Sequence, residues 1–354
     1  MIRPSTDNRY ASLDAIRGLA ALAVAMFHFT HGADGHFAVG VPGASPFSRW
    51  GWAGVEAFFV VSGFIVPWAF FRFGLRWYDS GRFLVRRIVR LAGPLAVTCV
   101  LIVALNRAAA LAPGFRGDPW QFPSWQQALC NLSYSCDLVG GDWLNVVFWT
   151  LAIEVQFYAV VALLVPLLIK RSARVWVGLV VAAGVVIAPW GPSHSLLPYW
   201  PLFVLGTTGM LMQQSQLRYR VGFVIAGLLC LQTGLSLGLV EALAGAAGFA
   251  GIFLLMRPPA WIKWLGTVSY SLYLLHLPIG GKVVNLGARL DGGIWIQALV
   301  LVLALSLSLI AAWIFWRWVE LPFQLLARRL WSTKAQCQSG LAGRSPEEAQ
   351  QIPG

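Results

Sequence analysis

Two ionisable side chains lie within the apolar N-terminal stretch LDAIRGLAALAVAMFHF, namely Arg17 and His28. They are eleven residues apart, which places them on one face of a helix, separated by about 16 Å along its axis. A guanidinium at one depth can hold an anion, and an imidazole at another depth can exchange a proton near neutral pH. The alternative interpretation is structural: Arg17 pairs with Asp14 or extends to the interface, and His28 is an interfacial histidine.

A second group of cations occurs in the segment FLVRRIVRLAGP. Arg87 and Arg90 have i,i+3 spacing, and Arg86 and Arg90 have i,i+4 spacing, so these side chains share a helix face. Clustered guanidinium groups suit phosphate, because they offer bidentate donors with a fixed charge. The alternative is that they only anchor the cytoplasmic end of a membrane helix.

Two carboxylates also lie within apolar stretches, where a charged side chain is costly and therefore a candidate for function. Glu154, in FWTLAIEVQFYAVV, is expected near mid-membrane, and Glu56, in GWAGVEAFFVVSGF, at about the depth of His28. A carboxylate at that depth would orient the imidazole or raise its basicity. Alternatively, both glutamates are structural partners of arginines. His276, in SYSLYLLHLP, is expected to be a packing or hydrogen-bonding residue.

The elements that must position these residues follow from composition. Of 354 residues, 58% are hydrophobic and only 11% are charged, whereas soluble domains carry about 25% charged residues. This composition excludes an ordinary cytosolic enzyme and predicts an all-α, polytopic membrane bundle of about ten transmembrane helices. The ten apolar stretches are 12–30, 51–71, 84–106, 145–169, 175–190, 197–212, 220–238, 242–256, 264–282 and 293–319.

The net charge of +12 is explained by membrane topology. With ten spans, 18 of the 26 Lys and Arg residues lie on the side of the termini and five on the other side. This asymmetry follows the positive-inside rule, so both termini are predicted to be cytoplasmic. No nucleic-acid partner is predicted, because the basic residues flank spans rather than form one surface.

The domain prediction has three parts: a cytoplasmic N-terminus at 1–11, a membrane domain at 12–330 with an outer loop at 107–144, and a disordered cytoplasmic tail at 331–354. In the outer loop, Cys130 and Cys136 either form a disulfide or remain two free thiols. The His and Cys spacings match no metal site, and no phosphate-binding glycine motif occurs. We therefore predict no metal and no permanently bound cofactor.

Six segments resemble, in order, motifs of the integral-membrane acyltransferase 3 family, over residues 10–330. They are SLDAIRGLAALAVAMFHF, GVEAFFVVSGFIV, FLVRRIVRLAGP, FWTLAIEVQFY, SYSLYLLHLP and VELPF. The family's arginine–histidine motif falls on Arg17 and His28, and its RxxR motif on Arg87 and Arg90. Its WxLxxExxFY motif falls on Trp149, Leu151, Glu154, Phe157 and Tyr158. Glu56 stands where many members have Asp.

This resemblance implies a bacterial inner-membrane enzyme that moves an acyl group, commonly acetyl from acetyl-CoA, to a sugar hydroxyl. Acceptors in the family include lipopolysaccharide and other cell-envelope or exported glycans. By analogy, the Arg17, Arg87 and Arg90 side chains bind acyl-CoA. His28 is the general base or the acyl carrier, and Glu154 and Glu56 assist it. The chain resembles the stand-alone form, without a fused esterase-like domain. The alternative is a glycolipid or polysaccharide transporter, or flippase, without acyl transfer.

Overall fold

The computed structural model describes residues 6–31, 48–73, 79–111, 122–168, 194–290 and 293–329. Within these ranges every regular element is helical, which confirms the all-α prediction. Helices are the expected outcome for long apolar stretches, because a helix satisfies its backbone hydrogen bonds internally.

Thirteen α-helices are described. They are α1 (Thr6–His31), α2 (Gly54–Phe73), α3 (Ser80–Ala110), α4 (Trp125–Leu132), α5 (Cys136–Val139), α6 (Phe148–Leu168), α7 (Leu196–Gln213), α8 (Tyr219–Ser236), α9 (Leu239–Leu254), α10 (Ala260–Leu275), α11 (Lys282–Gly287), α12 (Ile294–Phe315) and α13 (Leu321–Arg329). A short 3₁₀ turn, Gly51–Ala53, leads into α2. Two π-helical segments join α10 to α11 (His276–Gly281) and α12 to α13 (Trp316–Glu320).

Five helical segments of the described chain are long and apolar enough to cross a membrane. They are Ala11–His31, Gly51–Ala69, Ser80–Ala110, Tyr219–Ser236 and Ile294–Arg329, with shorter apolar helices at Phe148–Leu164 and Leu239–Leu254. Helices occupy nine of the ten predicted stretches. The stretch 175–190 and the tail 331–354 lie outside the described residues. The count of ten spans, the cytoplasmic termini and the domain bounds stay predictions.

Helices α1 and α10 are in backbone contact at Gly18 and Gly266. A Cβ atom on Gly18 would lie 2.7 Å from the amide nitrogen of Gly266, and one on Gly266 would collide with the carbonyl of Asp14. Small residues allow this approach between apolar helices. Ten residues further along each helix, His28 meets His276. Because the two contacts are ten residues apart on both helices and follow the same order along the chain, the helices run side by side in the same direction.

A second close contact joins α2 to α7. A Cβ atom on Gly63 would collide with the carbonyl of Phe203, and one on Gly206 with the carbonyl of Val60. The Thr207 hydroxyl donates to the Gly63 carbonyl at 2.8 Å. These contacts fix α2 against α7, so that the residues of α2 that face α1 and α6 keep a defined position.

The π-helical segment after α10 has a local cause in Pro278, which has no backbone N–H. In a continuous helix that N–H would bond the carbonyl of Leu274, or of Tyr273 in a π turn. Two side chains replace it: the Asn145 amide donates to the Leu274 carbonyl at 3.3 Å, and Nδ1 of His276 donates to the Tyr273 carbonyl at 2.8 Å. The break in α10 therefore holds the His276 ring in place.

Cys130 and Cys136 form a disulfide that links α4 to α5 in the segment before α6. The buried Asn131 side chain supports this segment, because it donates to the Asp142 carbonyl at 3.0 Å and accepts from the Leu144 N–H at 2.9 Å. Of the two alternatives that the sequence allowed for these cysteines, the structure has the disulfide.

Candidate functional site

A cavity of about 230 Å³, here called the arginine cavity, lies between α1, α2, α3, α6, α10 and α13. Four of the six predicted site residues line it: Arg17, Arg87, Arg90 and Glu154. Its other polar or ionisable lining residues are Asp14, Ser62, Arg86, Thr150, Tyr158, Tyr270, Tyr273, Gln324 and Arg328. Five arginines and two carboxylates thus surround one space, so its walls carry an excess of positive charge.

Three arginines of this cavity, Arg17, Arg87 and Arg90, are predicted to bind acyl-CoA. They have no close acidic partner among the described residues. No carboxylate oxygen lies within 4.0 Å of the guanidinium groups of Arg17, Arg87 or Arg90 among these residues. Asp14 and Glu320 act on Arg90 or Arg17 only from a longer range. These arginines are half-buried, and cations withdrawn from water without a paired anion are costly. The cavity is therefore suited to a ligand that brings its own negative charge, such as a phosphate group.

Glu154 is held inside the arginine cavity by two hydroxyl groups. The Ser62 hydroxyl donates to its Oε1 atom at 2.6 Å, and the Tyr158 hydroxyl donates to the same atom. The guanidinium of Arg87 lies over the ring of Tyr158, 5.6 Å from its centroid, and over that of Phe83 at 5.4 Å. Glu154 thus fixes the aromatic surface on which Arg87 rests.

The remaining predicted residues, His28 and Glu56, line a second cavity of about 180 Å³, here called the histidine cavity. Its other lining residues are Val24, Trp52, Val55, Val146, Val147, Trp149, Tyr199, Leu237, Glu241 and Tyr273. Val55 and Tyr273 belong to both cavities, so these two side chains stand between them. The structure therefore does not bring Glu154 to His28, but it places their cavities next to each other.

His28 is oriented by another histidine. Nδ1 of His276 lies 2.8 Å from the Tyr273 carbonyl, which only accepts, so we assign a proton to that nitrogen. Its Nε2 atom then accepts. Nδ1 of His28 lies 3.2 Å from that atom and 2.9 Å from the Val24 carbonyl, so it too must carry a proton. Neutral His28 therefore has its lone pair on Nε2, the nitrogen that can receive a proton.

No hydrogen bond joins Glu56 to His28 among the described residues, so the structure does not show the orienting contact that was one of the two interpretations of the sequence. The polar partners of the His28 ring are His276 and the Val24 carbonyl. Glu56 is only 2% exposed, and its Oε2 atom has no hydrogen-bond partner among the described residues. Glu241 lies close enough to act on it electrostatically. The histidine cavity therefore contains a carboxylate oxygen that is free to bind a ligand.

Aromatic rings form much of the wall of the histidine cavity. Trp149 and Tyr199 pack with their ring centroids 5.7 Å apart, and Trp52 adds a third ring to the lining. His194 stacks on Trp149 at 5.7 Å, and Asp137, in the disulfide-linked segment, bonds His194 at 3.0 Å. That segment thus braces one aromatic wall of the cavity.

Sequence reasoning missed Glu241 and undervalued His276. Glu241 lies one residue before the predicted apolar stretch 242–256, and it is the one charged residue between Arg220 and Arg257. That isolation was an available signal. The pairing of His276 with His28 had no comparable signal, because the two residues are 248 positions apart. Within the described residues, no group of three His, Cys, Asp or Glu side chains could hold a metal ion.

A cavity lined by five arginines, beside a histidine whose Nε2 has no hydrogen-bond partner among the described residues, is an arrangement suited to group transfer at a membrane. The comparisons agree with this class: residues 10–317 match the acyltransferase 3 family, described as an acyltransferase domain. The chain belongs to this family, as the sequence motifs predicted. No solved structure matches the chain.

Three curated relatives were found. The peptidoglycan O-acetyltransferase OatA of Listeria monocytogenes is 22% identical, over 88% of this chain and 55% of its own length. BcsY of Komagataeibacter xylinus, provisionally named a membrane-bound transacylase, is 26% identical over 85% of this chain and 81% of its own length. YrhL of Bacillus subtilis, provisionally named a peptidoglycan O-acetyltransferase, is 26% identical over 79% of this chain. This chain thus spans about half the length of the two named O-acetyltransferases.

Proposed function

We propose that the protein is a membrane-bound O-acyltransferase of the bacterial inner membrane, which transfers an acyl group from acyl-CoA to a hydroxyl of a cell-envelope glycan. One observation carries the proposal: Arg17, Arg87 and Arg90, which have no carboxylate within 4.0 Å among the described residues, line one cavity, His28 lines the next, and Val55 and Tyr273 line both. The names of the relatives, which describe O-acetyltransferases and a transacylase, support the reaction class and a glycan acceptor.

The arginine cavity is the proposed donor site. Coenzyme A carries phosphates, for which the guanidinium groups of Arg17, Arg87 and Arg90 are suitable partners. Positive residues are expected at the cytoplasmic ends of the spans. The cytoplasm is also the compartment that holds acyl-CoA. The thioester then extends past Val55 and Tyr273 towards His28. Glu154 acts here as a positioning residue, because it holds Ser62 and Tyr158.

The histidine cavity is the proposed site of chemistry. Nε2 of His28 takes the proton of the acceptor hydroxyl while the hydroxyl oxygen attacks the thioester carbonyl carbon. The carbon–sulfur bond breaks, the ester bond forms, and the coenzyme A thiolate leaves and takes a proton from the imidazolium. General-base assistance of this kind is worth about 10²–10⁴-fold in rate.

A second route passes through a covalent intermediate. Nε2 of His28 would attack the thioester, release the thiolate and carry the acyl group until the acceptor hydroxyl displaces it. The two routes differ in one observable: radiolabel from acetyl-CoA, without acceptor, stays on the denatured protein only in the covalent route. Both routes require the same free nitrogen.

The donor site is tested with purified full-length protein, radiolabelled acetyl-CoA and a cell-envelope glycan extract. The variant Arg90→Ala is expected to raise the KM for acetyl-CoA about tenfold or more, because a charge-assisted contact to phosphate is lost. Arg82→Ala is the matched control, since Arg82 is exposed on the same helix and lines neither cavity. A transporter would consume no acetyl-CoA, so wild-type protein without turnover would contradict the proposal.

A further inference from the structure

We infer that the histidine cavity is an acceptor subsite for a single sugar ring without negative charge, and that it excludes acidic sugars. This inference rests on the proposed function, because it identifies the acceptor of the same reaction. Three features carry it: a buried carboxylate oxygen without a partner, a small space with aromatic walls, and two acidic side chains without a cation in the described lining.

The first feature is the free oxygen of Glu56. A carboxylate oxygen buried without a partner loses the hydrogen bonds that water would give it, which costs free energy until a donor arrives. Glu56 lines the cavity and is 2% exposed. Its Oε2 atom can therefore accept a hydrogen bond only from a donor that enters the cavity, such as a sugar hydroxyl.

The second feature is the shape and chemistry of the walls. The lining includes the aromatic side chains of Trp52, Trp149 and Tyr199, against which the C–H face of a sugar ring can pack. The volume of about 180 Å³ is below the range of about 300–1,000 Å³ typical of pockets for drug-sized ligands. This space fits one ring rather than an oligosaccharide.

The third feature is charge. Two carboxylates, Glu56 and Glu241, line the cavity, and no arginine or lysine is found among the described residues of its wall. An acidic sugar would bring a further carboxylate into a confined, partly apolar space without a compensating cation. The carboxylate of Glu241, which is partly exposed, would repel that further negative charge.

These features also orient the acceptor. If one hydroxyl of the ring donates to Oε2 of Glu56, a neighbouring hydroxyl can lie at Nε2 of His28, since both side chains line the same small cavity. The His28 ring itself is fixed by His276 and by the Val24 carbonyl. Glu56 is thus a positioning residue for the acceptor, and Glu241 sets its charge preference.

Two matched probes test this inference on the full-length protein, methyl β-glucoside and methyl β-glucuronide, which differ only at C6, where a carboxylate replaces the CH₂OH group. Acetyl transfer from acetyl-CoA to the hydroxyls that both glycosides share, at C2, C3 and C4, is expected to favour the glucoside by about tenfold or more in kcat/KM. The glucoside should also raise the thermal unfolding temperature more than the glucuronide does. Glu241→Gln should reduce both the difference in kcat/KM and the difference in unfolding temperature between the two glycosides. Asp142→Asn, which removes an exposed acid outside the cavity, should leave them unchanged.

The outcomes separate this inference from the proposed function. Equal acylation of the two glycosides, no stabilisation by the glucoside, or a preference that Glu241→Gln leaves intact would each overturn the charge-selective subsite. If the glucoside stabilises the protein better than the glucuronide, but acetyl-CoA is never consumed, the subsite stands and the acyltransferase proposal fails.

Discussion

At the scale of single residues, the site depends on how two histidine rings share their protons. The Nδ1–H group of His276 donates a hydrogen bond to the Tyr273 carbonyl, close to the break that Pro278 makes in the helix. Its Nε2 atom can then accept from Nδ1 of His28. The result is a His28 ring with a defined tautomer and orientation. His276 does this without touching the reacting atoms, so it is a positioning residue.

The first prediction concerns His276. In His276→Ala, kcat is expected to fall by at least tenfold, within the ~10²–10⁴-fold that a general base provides, while the KM for acetyl-CoA stays unchanged. His276→Gln should recover part of the loss, because its amide oxygen can accept from Nδ1 of His28. Steady-state kinetics at several pH values checks this. If both variants keep wild-type kcat in their folded fraction, His276 only fills space.

The sequence identifies the candidate functional residues more readily than it identifies the contacts between them in the fold. Arg17, His28, Glu56 and Glu154 stand out because charged or titratable groups are rare in apolar stretches. Their division between two cavities could not be predicted, because it depends on which helices are neighbours. That His28 bonds His276 rather than Glu56 could not be predicted for the same reason.

At the scale of helices, the site depends on close crossings. Gly18 and Gly266 bring α1 and α10 into backbone contact, and ten residues later the same two helices present His28 and His276 to each other. The nine helices found at predicted apolar stretches show that length and composition suffice to locate such elements. Their pairing depends on small residues whose partners lie far away in the sequence.

A substitution at this crossing gives the second prediction. Gly266→Leu places a side chain against the backbone of Asp14, and overpacking of this kind costs about 1–3 kcal/mol or more. The unfolding temperature of the detergent-solubilised protein should fall, and transfer activity should fall with it. Gly227→Leu is the matched control, because a Cβ atom there meets nothing within 4 Å. Equal unfolding temperatures for the two variants would contradict a tight crossing.

At the scale of the whole molecule, transfer from a cytoplasmic donor to an external acceptor requires that the two cavities open towards opposite sides of the bilayer. The basic residues favour a cytoplasmic position for the start of α3, near Arg82, and an external position for the disulfide-linked segment, near Asp142. A disulfide also suits the more oxidising side of the membrane. The donor would then enter from the cytoplasm and the acceptor from outside.

Cysteine labelling tests this orientation. In a background with Cys230 and Cys337 replaced by Ser, Arg82→Cys should react with a membrane-impermeant maleimide only in inside-out vesicles. Asp142→Cys should react only in intact spheroplasts, because it lies on the opposite side. The parent without introduced cysteines is the control for both preparations. The reverse pattern would contradict the proposed sidedness and the entry of acyl-CoA from the cytoplasm.

The central claim is that Nε2 of His28 performs or carries the acyl transfer. Inside-out vesicles that contain the wild-type protein, His28→Ala or His31→Ala are supplied with radiolabelled acetyl-CoA, and label on the glycan is measured. His31 lies one turn further along α1 and outside both cavity linings. We expect wild-type labelling for His31→Ala and a rate lower by about 10²-fold or more for His28→Ala. Wild-type labelling by normally inserted His28→Ala protein would contradict the account.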